Sequence, residues 1–216
     1  DFAKRSGGRV LAMGSVHPVQ AKDPEGAMNR MIDDGFCGIK MHPSHQACAP
    51  NDYVNGNRIL ETAYRKAQDA GLVLMVHTGT SVFPGARNKY ADPIYCDDIA
   101  IDFPNLKIIL GHLGEGLPFS LWRIDHQFEI LARPDVDPVR FREVFSKHFW
   151  ITTSGNFSDP ALLCSVMELG ADRILFSVDW PYVENGLGTD WAAQIPLSRE
   201  DKEKILSGNA RRLLTL

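Results

Sequence analysis

The sequence predicts an α/β fold made of repeated strand–helix units with a parallel sheet. Two observations carry this. Short apolar runs alternate with helical patterns along the whole chain, and the apolar runs are nearly continuous in Val, Ile, Leu and Met instead of alternating with polar residues. Continuous runs mark strands buried on both faces, as in a parallel sheet covered by helices.

The elements follow in order. Arg9–Val16 (RVLAMGSV) reads as a strand ending at His17-Pro18. Asp23-Pro24-Glu25 then starts a helix, with an acid at the N-cap, Pro at the first helical position and a second acid in the first turn. Cys37–His42 (CGIKMH) is the next strand, Asn57–Ala70 a helix stopped by Gly71, and Leu72–His77 (LVLMVH) a strand. Leu106–His112 (LKIILGH) is a further strand, followed by helical patterns at Pro118–Leu131 and Pro138–Phe145. Trp150–Thr153 is a short strand, Pro160–Leu169 a helix ending at Gly170, and Arg173–Asp179 (RILFSVD) the last strand. Arg199–Leu206 starts a closing helix. No G-x-G-x-x-G follows any of these strands, so a dinucleotide-binding open sheet lacks its signature.

Polar residues recur at the strand ends: His17, His42, His77, His112, Ser154 and Asp179. Catalytic residues of a TIM (β/α)8 barrel gather at the C-terminal ends of its strands. The expected architecture is therefore a TIM barrel with six β/α units in residues 1–216.

Composition sets further bounds. With 216 residues, 44% hydrophobic and 23% charged, and a net charge of -4, the chain is an ordinary globular sequence. No Lys/Arg run marks a nucleic-acid surface, and no apolar run approaches the roughly 18 residues of a membrane span. The N-terminus has no signal-peptide core, and Cys37, Cys48, Cys96 and Cys164 form no CxxC pair. A cytoplasmic protein with neither nucleic-acid nor membrane partner is expected, as a homo-oligomer, dimer or tetramer.

His77 (in MVHTG), His112 (in LGHLGEG) and Asp179 (in FSVDWP) each follow a hydrophobic strand. Imidazole and carboxylate are ligand types for a divalent metal such as Zn, Mn or Fe. These three segments resemble the fifth-, sixth- and eighth-strand motifs of the amidohydrolase superfamily, in the branch that includes 2-amino-3-carboxymuconate-semialdehyde decarboxylase. From His112 onward, GHLGEGLPFSLWRIDH, ITTSGNF, GADRILFSVDWPYVEN and NARRL are similar to γ-resorcylate (2,6-dihydroxybenzoate) decarboxylases. HTGTSVFPGARNKYADP instead resembles other amidohydrolase-related proteins.

The resemblance implies one divalent metal ion, zinc, manganese or similar, bound by His77 and Asp179, and no organic cofactor. It also implies further ligands from a Glu-x-His or His-x-His on the first strand. This chain contains neither motif, so it is expected to start just before the family's third strand. The resemblance thus implies a barrel N-terminally truncated to about six β/α units, with residues 1–216 as a single incomplete barrel domain. The activity implied is non-oxidative decarboxylation of a hydroxylated aromatic or related unsaturated carboxylic acid.

Asp179 would be a metal ligand, with a proton-donor role as well or a ligand role alone. His112 would face the substrate, with Glu115 orienting or charging its imidazole. Glu115 equally suits a helix N-terminus as an acid on the dipole. Arg123 (in LWRIDH) would meet the substrate carboxylate, or pair on the surface with Asp125 or Glu129. Asn156 would shape the pocket. Two alternatives stand beside the carboxy-lyase: a metal-dependent hydrolase of an ester, lactone or amide, and an inactive truncated barrel.

Overall fold

The computed structural model describes residues 2–130 and 141–216. The chain divides into two compact units, Asp1–Ile109 and Leu110–Leu216. Among the described residues six strands follow chain order, β1-β2-β3-β4-β5-β6, in one sheet.

The first unit opens with α1 (Phe2–Arg5) and β1 (Met13–Gly14). β1 is shorter than the run Arg9–Val16 suggests. Its paired residues are Met13 with Gly38 and Gly14 with Ile39 of β2 (Gly38–Met41). Gly14 lies against α2: a Cβ there would lie 1.8 Å from Met31 Sδ, so a larger residue would displace the end of the Met31 side chain. Met31 belongs to α2 (Pro24–Asp33), whose N-cap Asp23 accepts from Gly26 N as its sequence indicates.

After β2 come α3 (Pro43–Gln46) and α4 (Arg58–Asp69). The Asn57 side chain caps α4 by accepting from Ile59 N and Leu60 N. β3 (Val73–Val76) pairs in parallel with β2, with Met41 opposite Val76. α2 packs against α4, and α4 turns Leu60, Ala63, Tyr64 and Ala67 inward. Burial of each large apolar side chain in this core contributes about 1.5–3 kcal/mol. Tyr64 is fully buried, and its hydroxyl donates to Pro50 O at 2.9 Å, so its polar atom is satisfied. α5 (Asp97–Asp102), for which the sequence shows no clear signal, precedes β4 (Lys107–Leu110).

The second unit holds α6 (Leu117–Ile130), α7 (Phe141–His148), β5 (Phe149–Thr152), α8 (Asp159–Leu169) and β6 (Ile174–Leu175). The expected helix Pro138–Phe145 begins on residues outside the described ones. β5 and β6 are parallel, with Ile151 opposite Ile174 and Thr152 opposite Leu175. α6 packs on α7 and α8. Arg142 ties the three together: its Nη2 donates to Glu168 Oε2 at 2.5 Å, its N donates to Asp125 Oδ1 at 3.1 Å, and its Nε lies 3.5 Å from Asp125 Oδ2. α9 (Asn185–Gln194) follows, then α10 (Arg199–Glu203), a π-helical turn at Lys204–Gly208, and α11 (Asn209–Leu214). Among the described residues no helix is long and apolar enough to cross a membrane.

Candidate active site

In the first unit the parallel register places the residues after Met41 and Val76 side by side. His77 N donates to Met41 O at 3.0 Å. The rings of His42 and His77 stack with centroids 3.9 Å apart and an interplanar angle of 13°. His45, from α3, adds a third ring 4.0 Å from His42, and its Nε2 lies 2.9 Å from Ser81 Oγ. Nε2 of His77 and Nδ1 of His42 are both shielded from solvent. The sequence marks His42 as a strand-end polar residue, either on the pocket floor or structural. Its face-to-face contact with His77 follows from the β2–β3 register, which no local pattern encodes.

In the second unit, β4 ends at Leu110 and the chain turns sharply through His112, Leu113 and Glu115. Their φ angles are 51°, 57° and 55°, all in the left-handed region. Three left-handed non-glycine residues in one turn represent backbone strain of about 1–3 kcal/mol each, of the kind that clusters at functional sites. The turn aims His112 at the end of β5, where its Nδ1 meets Ser154 O at 2.5 Å. Asn156 N donates to Thr153 O at 2.7 Å, and Asn156 Nδ2 donates to His112 O at 3.4 Å, closing the turn from the other side. Asn156 therefore braces the His112 turn.

Beneath these residues runs a set of hydroxyls. Thr152 Oγ1 and Ser154 Oγ are 2.7 Å apart, and Ser154 Oγ donates to Ser177 Oγ at 3.1 Å. The set links the end of β5 to the segment after β6 that carries Asp179. Asp179 is half-buried with φ 77°, and its carbonyl accepts from Tyr182 N at 2.9 Å and Val183 N at 3.2 Å. Gly155 stands against it: a Cβ on Gly155 would lie 3.7 Å from Asp179 Cβ and 3.8 Å from Asp179 Oδ2. His112, Asn156 and Asp179 are thus held on one connected scaffold of strand ends. The hydroxyl run Thr152-Thr153-Ser154 was the available signal for it.

Glu115 is exposed and lies two residues before α6. Arg123 is exposed on α6, and Asp125, one of its expected surface partners, is engaged by Arg142. The aromatic residues near the motifs lie at the surface of this unit: Phe119, Trp122, Trp180 and Tyr182 are exposed, and Phe157 packs on Trp191.

His77 and Asp179 are donors of the type a divalent ion takes. Among the described residues, however, no group of three or more His, Cys, Asp or Glu could hold a metal ion. A catalytic divalent site commonly has three protein ligands. The donor chemistry suits a metal, and the number of donors falls short of one.

The chain belongs to the amidohydrolase family, whose model matches residues 1–216. It is 46% identical over 116 residues to the γ-resorcylate decarboxylase of Polaromonas sp. (strain JS666); the match takes in 53% of this chain and spans 36% of that relative's length. A crystal structure of 2,6-dihydroxybenzoate decarboxylase complexed with 2,6-dihydroxybenzoate superposes with a TM-score of 0.78 at 29% identity, covering 99% of this chain and 73% of that one. The dihydroxybenzoic acid decarboxylase of Polaromonas sp. JS666, with bound manganese and the inhibitor 2-nitroresorcinol, gives 0.75 at 26% identity, covering 99% and 71%. The six-stranded α/β fold is that of the TIM-barrel decarboxylases of this family.

Proposed function

We propose that residues 1–216 act as one domain of a metal-dependent, non-oxidative carboxy-lyase whose substrate is a hydroxylated aromatic acid. Support comes from the 46% identity to a γ-resorcylate decarboxylase. The observation that carries the reading is the scaffold holding His112, Asn156 and Asp179, with His112 Nδ1 on Ser154 O.

The chemistry needs one proton. The ring carbon bearing the carboxylate takes it up, the carbon–carboxylate bond breaks, its electron pair restores the aromatic ring, and CO₂ leaves. Asp179 delivers that proton. His112 faces the substrate carboxylate and is oriented by its Ser154 contact, with Glu115 adding negative charge beside the imidazole. Arg123 binds the carboxylate, for which a planar guanidinium is suited. Asn156 keeps the His112 turn in place.

His77 and Asp179 are the proposed metal ligands, with further donors expected from a first-strand Glu-x-His or His-x-His, neither of which this sequence contains. Held there, a divalent ion such as manganese or zinc would supply positive charge that stabilises the anionic substrate. No organic cofactor is required. The proposal includes a cytoplasmic location, which the free thiols of all four cysteines suit, and a dimeric or tetrameric assembly, to be read by light scattering.

The test is isotopic. These 216 residues are joined behind the N-terminal segment of the Polaromonas enzyme and incubated with 2,6-dihydroxybenzoate and Mn²⁺ in D₂O. Resorcinol carrying deuterium at the vacated ring carbon is expected. A folded, manganese-loaded fusion that returns the acid unchanged rejects the proposal.

A further inference from the structure

β6 is two residues long, yet Asp179 stands beyond its end with a left-handed backbone. An ordinary strand ladder therefore does not hold it. On one flank the ladder with β5 ends at Thr152–Leu175, and Thr153 N donates to Leu175 O at 3.0 Å. The next contact is made by a side chain. Thr153 Oγ1 accepts from Ser177 N at 2.9 Å and donates to Ser177 O at 2.6 Å. One buried hydroxyl thus engages both main-chain groups of Ser177, and Thr153 is 0% exposed.

The other flank is held by the π-helical turn. In a regular α-helix Asn209 N would bond to Ile205 O; here it bonds to Lys204 O, the five-residue spacing of a π-turn. Ile205 O instead accepts from Phe176 N at 2.9 Å. The same turn brings in Asn209, 1% exposed, whose Nδ2 donates to Ala171 O and Ile174 O, each at 2.7 Å. The turn thus grips the β6 segment at Ala171, Ile174 and Phe176, while Thr153 grips Ser177.

We infer that Thr153 and the Lys204–Gly208 π-turn are a positioning device that sets the backbone of Phe176–Asp179 and so aims the Asp179 carboxylate. Its catalytic meaning rests on the proposed role of Asp179, but the positioning itself does not. Thr153→Val keeps the shape of the side chain and removes both hydrogen bonds, whereas Thr153→Ser keeps the hydroxyl.

The test is amide hydrogen exchange on the 216-residue chain. The amides to follow are Tyr182 and Val183, which bond to Asp179 O and not to Thr153. Thr153→Val is expected to speed their exchange about tenfold, with Thr153→Ser close to wild type. Should Thr153→Val not fold, Thr153→Ala carries the same comparison. Faster exchange at Ser177 alone, with Tyr182 and Val183 unchanged, overturns the inference. A kinetic arm in the fusion separates the two ideas. Thr153→Val is expected to lower kcat with KM unchanged, and serine to restore it. An Asp179→Asn variant with full activity rejects the role of Asp179 while the exchange result still judges the positioning.

Discussion

The Nδ1 atom of His112 lies 2.5 Å from the carbonyl oxygen of Ser154. A carbonyl can only accept, so Nδ1 carries the hydrogen of this contact and Nε2 is the ring's other polar atom. If His112 works on the substrate, a side chain without the imidazole should fail in its place. His112→Asn in the fusion is expected to lower kcat by about 10²–10³-fold, the usual cost of removing one positioned electrostatic donor. Steady-state kinetics with 2,6-dihydroxybenzoate measures this, and a loss below about threefold would remove His112 from the chemistry.

Metal content separates ligand from scaffold. Asp179→Asn replaces a carboxylate by a poor ligand, and His77→Ala removes an imidazole. Both should lower bound manganese and turnover together, read by elemental analysis and kinetics on the same sample. Full occupancy in both variants would show that neither residue is a ligand. The unfused 216-residue chain is expected to bind manganese weakly, since no three-donor group is present among its described residues.

Much of the fold was legible because its signals are local. Asp23 and Asn57 cap their helices as their positions suggest, and Gly170, with φ 77°, ends α8. The strand-end histidines were legible because a buried apolar run followed by His stands out. The run Arg173–Asp179 looked like one strand and is not. Past Leu175 its main chain is held by the Thr153 hydroxyl and by a carbonyl from a distant π-turn, and neither partner leaves a mark in the run itself. α9 was missed because glycines at 186 and 188 lower its helix propensity. Gly188 is there for contact: a Cβ would lie 2.8 Å from Phe157 Cζ and 2.9 Å from Val178 Cγ2.

The second unit owes part of its stability to Arg142, which bridges Asp125 of α6 and Glu168 of α8. Arg142→Met keeps most of the apolar stem, leaves Glu168 without its Arg142 partner, and leaves Asp125 with the backbone N of residue 142 but without the guanidinium. A destabilisation of about 1–2 kcal/mol is expected, allowing for partial solvent exposure of the group. Thermal unfolding should shift down by about 2–6 °C for a chain of this size. An unchanged midpoint would show that the bridge is a surface contact only.

The cysteines give a pH prediction. Burial, then the neighbouring Asp52, pushes the Cys48 thiol up to about 12 from its usual 9.0. Burial, with Asp97 and Asp92 beside it, raises Cys96 as well. The unfolded chain ionises these thiols near pH 9 and the folded chain does not. Their contribution to stability is therefore fully present below pH 9 and is lost progressively as pH rises from there toward the folded values. Denaturant midpoints should fall between pH 9 and 11, and Cys48→Ser should weaken that fall. At pH 8 a thiol reagent should label Cys48 and Cys96 only after unfolding, as peptide mass mapping will show.

The central claim is the reaction class, and CO₂ tests it most directly. The manganese-loaded fusion is offered a panel of 2-hydroxybenzoates, γ-resorcylate among them, alongside esters and lactones, and released CO₂ is measured by infrared absorption. The account predicts CO₂ from at least one 2-hydroxybenzoate, lost in Asp179→Asn, with no ester or lactone turnover. Hydrolysis of an ester or lactone with no CO₂ from any hydroxybenzoate would contradict it.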